Sequence, residues 1–129
     1  MKTLGIDYGR AKVGIAIGVN GFVEPYKVIH YNEKDKLLKE LKSIIEAEKV
    51  DKVVIGISEG EMAEESKNFA EALHSSLSDV PFELFDETLT SQDAQRLSRE
   101  AGISRKKAHN MEDAYAAAIM LQNYLDSVK

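Results

Sequence analysis

The spacing of apolar residues changes period several times along the chain, and each change marks an element. Thr3 to Tyr8 and Val13 to Val19 are short, β-rich runs joined by Gly9-Arg-Ala-Lys12, and a third extended run, Phe22 to Tyr31, follows the turn signal Asn20-Gly21. This predicts an antiparallel meander. From Glu33 to Glu48, Leu37, Leu38, Leu41, Ile44 and Ile45 recur at helical spacing between lysines and glutamates, which predicts a surface helix. Lys52-Val-Val-Ile-Gly-Ile57 is continuously apolar, as a strand covered on both faces is. Ala63 to Leu77 is helical in pattern, Pro81 to Phe85 is a short strand, and Thr90-Ser-Gln-Asp93 resembles a capping box opening a helix that Gly102 stops. A final helix is expected from near Asn110 to about Ser127.

A hairpin pair followed by βα units predicts an α/β fold: a five-stranded mixed sheet, its first three strands antiparallel, flanked by helices on both faces, with the first strand beside the fourth. No repeat, linker or composition shift breaks the chain, so residues 1–129 are expected to form a single domain. In such sheets, functional residues gather at the carboxyl ends of the central strands. Asp7 and the pair Asp86-Glu87 sit at two of these ends.

Composition narrows the chemistry. Absence of cysteine removes disulfides, thiolate zinc sites and cysteine nucleophiles. The net charge of −5 argues against a sequence-blind DNA coater, which needs a broad basic surface. Yet from Arg96 to His109 there are five basic residues against one acid, Glu100, a local balance of +4. The N-terminus lacks the pattern of a secretion leader, and no run of eighteen apolar residues occurs, so a cytoplasmic protein without membrane contact is expected.

Three acids then stand out. Hydrolysis of a phosphodiester needs an activated water, neutralised phosphoryl oxygens and a stabilised leaving oxygen, which two Mg²⁺ ions held by carboxylates supply. Asp7, Glu87 and Asp113 each terminate or open an element aimed at one edge of the sheet. Each also has a structural alternative. Asp7 fits an Asx turn, Glu87 a solvated loop, and Asp113 the third residue of a helix capped by Asn110. Against the last, Asp113 shares a helix face with Ala116, Ala117, Met120 and Tyr124, which must pack inward, and the alanines let that helix approach the sheet closely. An acid on such a face needs a partner or a metal. His30, His74 and His109 lack metal-ligand spacing, and there is no nucleophile elbow, P-loop or GxGxxG.

The segments Gly5-Ile-Asp7-Tyr-Gly-Arg-Ala-Lys12-Val-Gly-Ile-Ala16, Phe85-Asp-Glu87-Thr-Leu-Thr-Ser91, Gly102-Ile-Ser-Arg-Lys-Lys107 and Glu112-Asp113 through Leu125 resemble, in order and over nearly the whole chain, the YqgF (RuvX-type) family. The resemblance implies an RNase H-like fold similar to Holliday junction resolvases, and a nuclease role in maturing the 5′ end of the 16S ribosomal RNA precursor. It carries the family's three acids onto Asp7, Glu87 and Asp113 as catalytic and metal-binding residues, with Mg²⁺ or Mn²⁺ as cofactor. Two departures bear on substrate contacts. Thr88 stands where the family usually has Arg, and the loop after the fourth strand is the acidic Ser58-Glu-Gly-Glu-Met-Ala-Glu-Glu65, whose Glu59 and Glu61 read as solvated.

Lys12, Arg105, Lys106 and Lys107 are the expected phosphate contacts, Lys12 because it leaves the first hairpin near Asp7. The expected partner is nucleic acid, precursor rRNA first, and the expected state a monomer or weak homodimer. Three other readings compete. A DNA junction resolvase would use the same metal site as a symmetric dimer. A non-catalytic ribosome-assembly module would keep the fold without needing all three acids. An actin-like ATPase, suggested by Asp7 to Gly14, requires two such domains where this chain supplies one.

Overall fold

The computed structural model describes residues 1–57, 61–86 and 105–128, with backbone only at Glu61 and residues 105–110. The elements are β1 (Lys2–Asp7), β2 (Lys12–Val19), β3 (Phe22–His30), α1 (Lys34–Ala47), β4 (Lys52–Ile57), α2 (Glu61–Ser76), β5 (Phe82–Asp86) and α3 (Arg105–Ser127). The sheet order is β3-β2-β1-β4-β5, with β1 antiparallel to β2, β2 antiparallel to β3, and β1, β4 and β5 mutually parallel. The expected mixed five-stranded sheet is therefore present, with β1 central beside β4. The helix expected between Thr90 and Gly102 lies outside the described residues.

The two faces of the sheet carry different side chains, and the period-2 alternation of the strands sorts them. On one face Leu4, Ile6, Val13, Ile15, Val53 and Ile55 pack with Leu37, Leu41 and Ile45 of α1 and Phe69, Ala70 and Leu73 of α2. At about 1.5–3 kcal/mol for each large side chain removed from water, this layer dominates the stability. The other face is lined by small residues, Gly5, Gly14, Ala16 and Gly18 with Val54, and among the described residues it receives α3 through Ala117, Met120, Leu121 and Tyr124. A Cβ on Gly14 would come within 1.9 Å of the Asp113 carbonyl oxygen, and one on Gly5 within 3.0 Å of Leu121 Cβ. The helix backbone thus rests directly on strand backbone.

Two boundaries differ from expectation. α3 begins at Arg105, not near Asn110, so Asp113 lies in its third turn and Asn110 is no N-cap. Glu112 and Asp113 therefore gain nothing from the helix dipole, whose influence is confined to the first turn. The acidic segment Ser58–Glu65 is helical from Glu61 onward, because α2 opens two residues before Ala63; residues 58–60 lie outside the described residues.

Candidate metal and nucleic-acid site

Asp7 is the last residue of β1, at the edge where β4 and β5 also end and where β2 begins with Lys12. Its partner across the ladder is Gly14 on β2 and, on the other side, Gly56 on β4. Directly opposed residues point to the same face. Asp7 therefore projects toward α3 between two positions that have no side chain. One of these gaps is filled by the Asp113 backbone, whose carbonyl rests over Gly14. Asp7 and the Asp113 turn are thus brought to the same face of the same edge by two neighbouring strands and one helix.

The Asp113 carboxylate is half-buried and accepts an ion pair from Lys12, with Nζ 3.2 Å from Oδ2. On the inward face of α3, where an acid needs a counter-charge, the Lys12 ammonium provides one. Glu87, the third expected acid, lies outside the described residues. It follows directly on Asp86, which pairs with Ile57 one step beyond the row Gly14–Asp7–Gly56–Phe85. Among the described residues no group of three or more His, Cys, Asp or Glu side chains gathers into a metal site. The donor chemistry nevertheless suits a hard divalent cation: carboxylate oxygens at an edge whose neighbouring positions are glycine, with one carboxylate already satisfied by a cationic stand-in.

The turn from Tyr8 to Lys12 is clamped from three sides. Tyr8 stacks on Phe69 of α2 at a ring separation of 4.4 Å. Tyr31 donates from its hydroxyl to the Gly9 carbonyl and from its amide to the Ala11 carbonyl, the latter at 3.1 Å. Burial, with the Tyr8 hydroxyl beside it, pushes the Tyr31 hydroxyl well above its ordinary pKa and keeps it a donor. Arg10 pairs with Glu65 at 3.2 Å, tying the turn to the start of α2. Such clamping fixes the backbone at Asp7 and Lys12 relative to the sheet.

Eight residues of α3 precede Asp113, about 12 Å of helix at the ordinary rise per residue. Because α3 runs from Gly14 toward Gly5 and Gly18, these residues extend outward past the edge that holds Asp7. The backbone of Arg105, Lys106 and Lys107 lies in this extension. At the opposite edge, Tyr124 is tied to Lys52 and Glu83, which themselves pair at 2.9 Å, so the far end of α3 is also fixed.

Sequence reasoning singled out Asp7 and Asp113 but missed the seating of the Asp113 backbone over Gly14, the ladder partner of Asp7. The signal was available: in β2, Gly14-Ile-Ala-Ile-Gly18 alternates small and large residues, marking the small face as the seat of a close-packed helix. It also missed the Tyr8–Tyr31–Phe69 cluster and the Arg10–Glu65 pair, which join residues 23 to 61 positions apart and leave no local pattern.

Residues 1–127 match the family described as RuvX: Holliday junction resolvase. A protein of Maridesulfovibrio salexigens named "Putative pre-16S rRNA nuclease" is 38% identical over 97% of this chain and 98% of its own length. A protein of the same name from Halothermothrix orenii is 33% identical over 98% of this chain and 95% of its own. Among solved structures, RuvC of Thermus thermophilus in complex with a Holliday junction substrate superposes with a TM-score of 0.68 at 12% identity, covering 100% of this chain and 97% of that one. The fowlpox virus Holliday junction resolvase gives 0.65 at 14%, with complete coverage of both chains. These two share the RNase H-like fold. The family match, together with relatives spanning nearly the whole chain, shows that this chain belongs to the RuvX family.

Proposed function

We propose that this chain is a metal-dependent nuclease that hydrolyses phosphodiester bonds, acting in 5′-end maturation of the 16S ribosomal RNA precursor. The observation that carries the reading is the edge itself: Asp7, set between two glycines, shares a face with the Asp113 turn, and that turn is locked over Gly14. Asp7, Glu87 and Asp113 hold Mg²⁺, or Mn²⁺ in its place. Two such ions supply charge neutralisation at the phosphoryl oxygens and an activated water. The protein's own part is placement. The clamped Tyr8–Lys12 turn keeps Asp7 aimed at the edge, and the close seating of α3 fixes Asp113, since an error of about 1 Å in such a site costs about a hundredfold in rate. Lys12 contacts substrate phosphate, as do Arg105, Lys106 and Lys107 at the outward end of α3.

The names of the relatives favour RNA as substrate. Among the described residues no helix is long and apolar enough to cross a membrane, and the reading puts the protein in the cytoplasm with its substrate, as a monomer or weak homodimer. The family's own description favours a second reading, a resolvase acting on four-way DNA junctions. Incubation of purified protein with labelled precursor rRNA fragments and with synthetic four-way junctions, with and without Mg²⁺, tests both. Mg²⁺-dependent cleavage of the precursor at its 5′ extension supports the first. Paired symmetric cuts in the junction with intact rRNA would replace it by the second, and no cleavage of either would overturn both.

A further inference from the structure

Resting on the metal site proposed above, a second property follows from the contact between Lys12 and Asp113. The Lys12 ammonium lies 3.2 Å from the Asp113 carboxylate. A divalent ion on that carboxylate would bring two cations to one acceptor in a half-buried setting, where their repulsion is poorly screened. The two cations therefore compete for that carboxylate. Asp113 is held by its backbone, wedged over Gly14, whereas Lys12 sits on a flexible four-carbon stem with 43% of its side chain exposed. Lys12 is therefore the group that moves. It stands at the start of β2 on the same edge, so once displaced its ammonium remains beside the site.

We propose that Lys12 is the resident cation of the metal-free site, and that metal binding at Asp113 releases it to bind the substrate phosphate. Metal and nucleic acid then bind with positive coupling through one side chain, and the coupling is reciprocal: a phosphate that draws Lys12 away raises metal affinity by the same factor. Ion pairs between partly exposed groups set its size at about two- to fivefold.

Mn²⁺ binding, read from the loss of the free-ion paramagnetic resonance signal, tests this without relying on turnover. The probe is a short RNA with non-hydrolysable linkages, and the proteins are the native chain, Lys12→Met, Lys12→Arg and Asp113→Asn. The RNA should tighten Mn²⁺ binding by about two- to fivefold more in the native chain than in Lys12→Met. Lys12→Met should bind Mn²⁺ more tightly than the native chain without RNA and gain less from the RNA by that same factor, while Lys12→Arg keeps the native coupling. If Lys12→Met binds Mn²⁺ no more tightly than the native chain, or gains as much from the RNA as the native chain does, the proposal is overturned while the metal site stands. If Asp113→Asn leaves Mn²⁺ binding unchanged, the metal site fails, and the proposal with it.

Discussion

Replacing Gly14 by alanine tests how Asp113 is held. The added Cβ would lie 1.9 Å from the Asp113 carbonyl oxygen, 2.2 Å from its carbon and 2.8 Å from the Ala114 nitrogen. Ordinary contact begins near 3.4 Å, so helix and strand must part by about 1.5 Å, and every atom in the clash is backbone. No rotamer change relieves it. Overpacking costs typically 1–3 kcal/mol, and a collision between two backbones belongs at the upper end, about 3 kcal/mol. For a domain of this size that lowers Tm by about 10 °C. Gly18→Ala on the same strand is the control, because the nearest neighbours of its Cβ would be the side-chain methyls of Val23, Leu121 and Leu125, at 3.3–3.4 Å. It should change stability by less than about 1 kcal/mol, with the gain in strand propensity offsetting the tighter fit. Thermal and urea unfolding give the stability, and single-turnover cleavage the placement of Asp113, expected to fall about a hundredfold or more in Gly14→Ala. A Gly14→Ala protein as stable and as active as Gly18→Ala would refute the seating of α3 on β2.

Asp113→Asn should cut cleavage by orders of magnitude while changing stability by less than about 1 kcal/mol, because the ion pair lost is partly exposed and the third turn of α3 is beyond the dipole's reach. A variant clearly less stable yet fully active would make Asp113 a structural residue. Lys106→Ala combined with Lys107→Ala should weaken RNA binding and lower its logarithmic salt slope by about one unit per lost phosphate contact; an unchanged slope removes these lysines from the interface. The Tyr124 hydroxyl and Lys52 hold the Glu83 carboxyl below its ordinary value of 4.5, so this contact stabilises above that pH and is lost as pH falls through the lowered value. The same hydroxyl, then Glu83, raises Lys52 above 10.5, a contribution present below that pH and lost as pH rises through the raised value. Tyr124→Phe should accordingly lose stability most at neutral pH and converge on the native chain at both extremes of urea unfolding; a loss independent of pH would contradict the linkage.

The sheet was legible because its strands differ in period and punctuation. Lys52–Ile57 is read to the residue, since a continuous apolar run bounded by Asp51 and Ser58 admits one placement. The start of α3 was not legible. Asn110 is a strong capping residue, but Arg105 to His109 are good or neutral helix formers, and propensity alone does not stop a helix there. Of the candidate site, Asp113 stood out in the sequence as an acid on an inward helix face that needs a partner, and Lys12 is that partner. The pair itself was not legible: Lys12 and Asp113 lie about a hundred residues apart in sequence, and the helix that carries Asp113 rests on Gly14 only because Gly14 has no side chain. A glycine in a strand weakens it locally, so its reason appears only with the helix that rests on it.

In the proposed function, Asp7, Glu87 and Asp113 jointly hold divalent metal at the carboxyl edge of the sheet. Anomalous diffraction from crystals grown with Mn²⁺ tests it most directly. The expected result is Mn²⁺ density in contact with carboxylate oxygens of Asp7, Glu87 and Asp113, with the Lys12 ammonium withdrawn from Asp113. Bound Mn²⁺ at another edge of the sheet, or at this edge without Asp7 among its ligands, would contradict it.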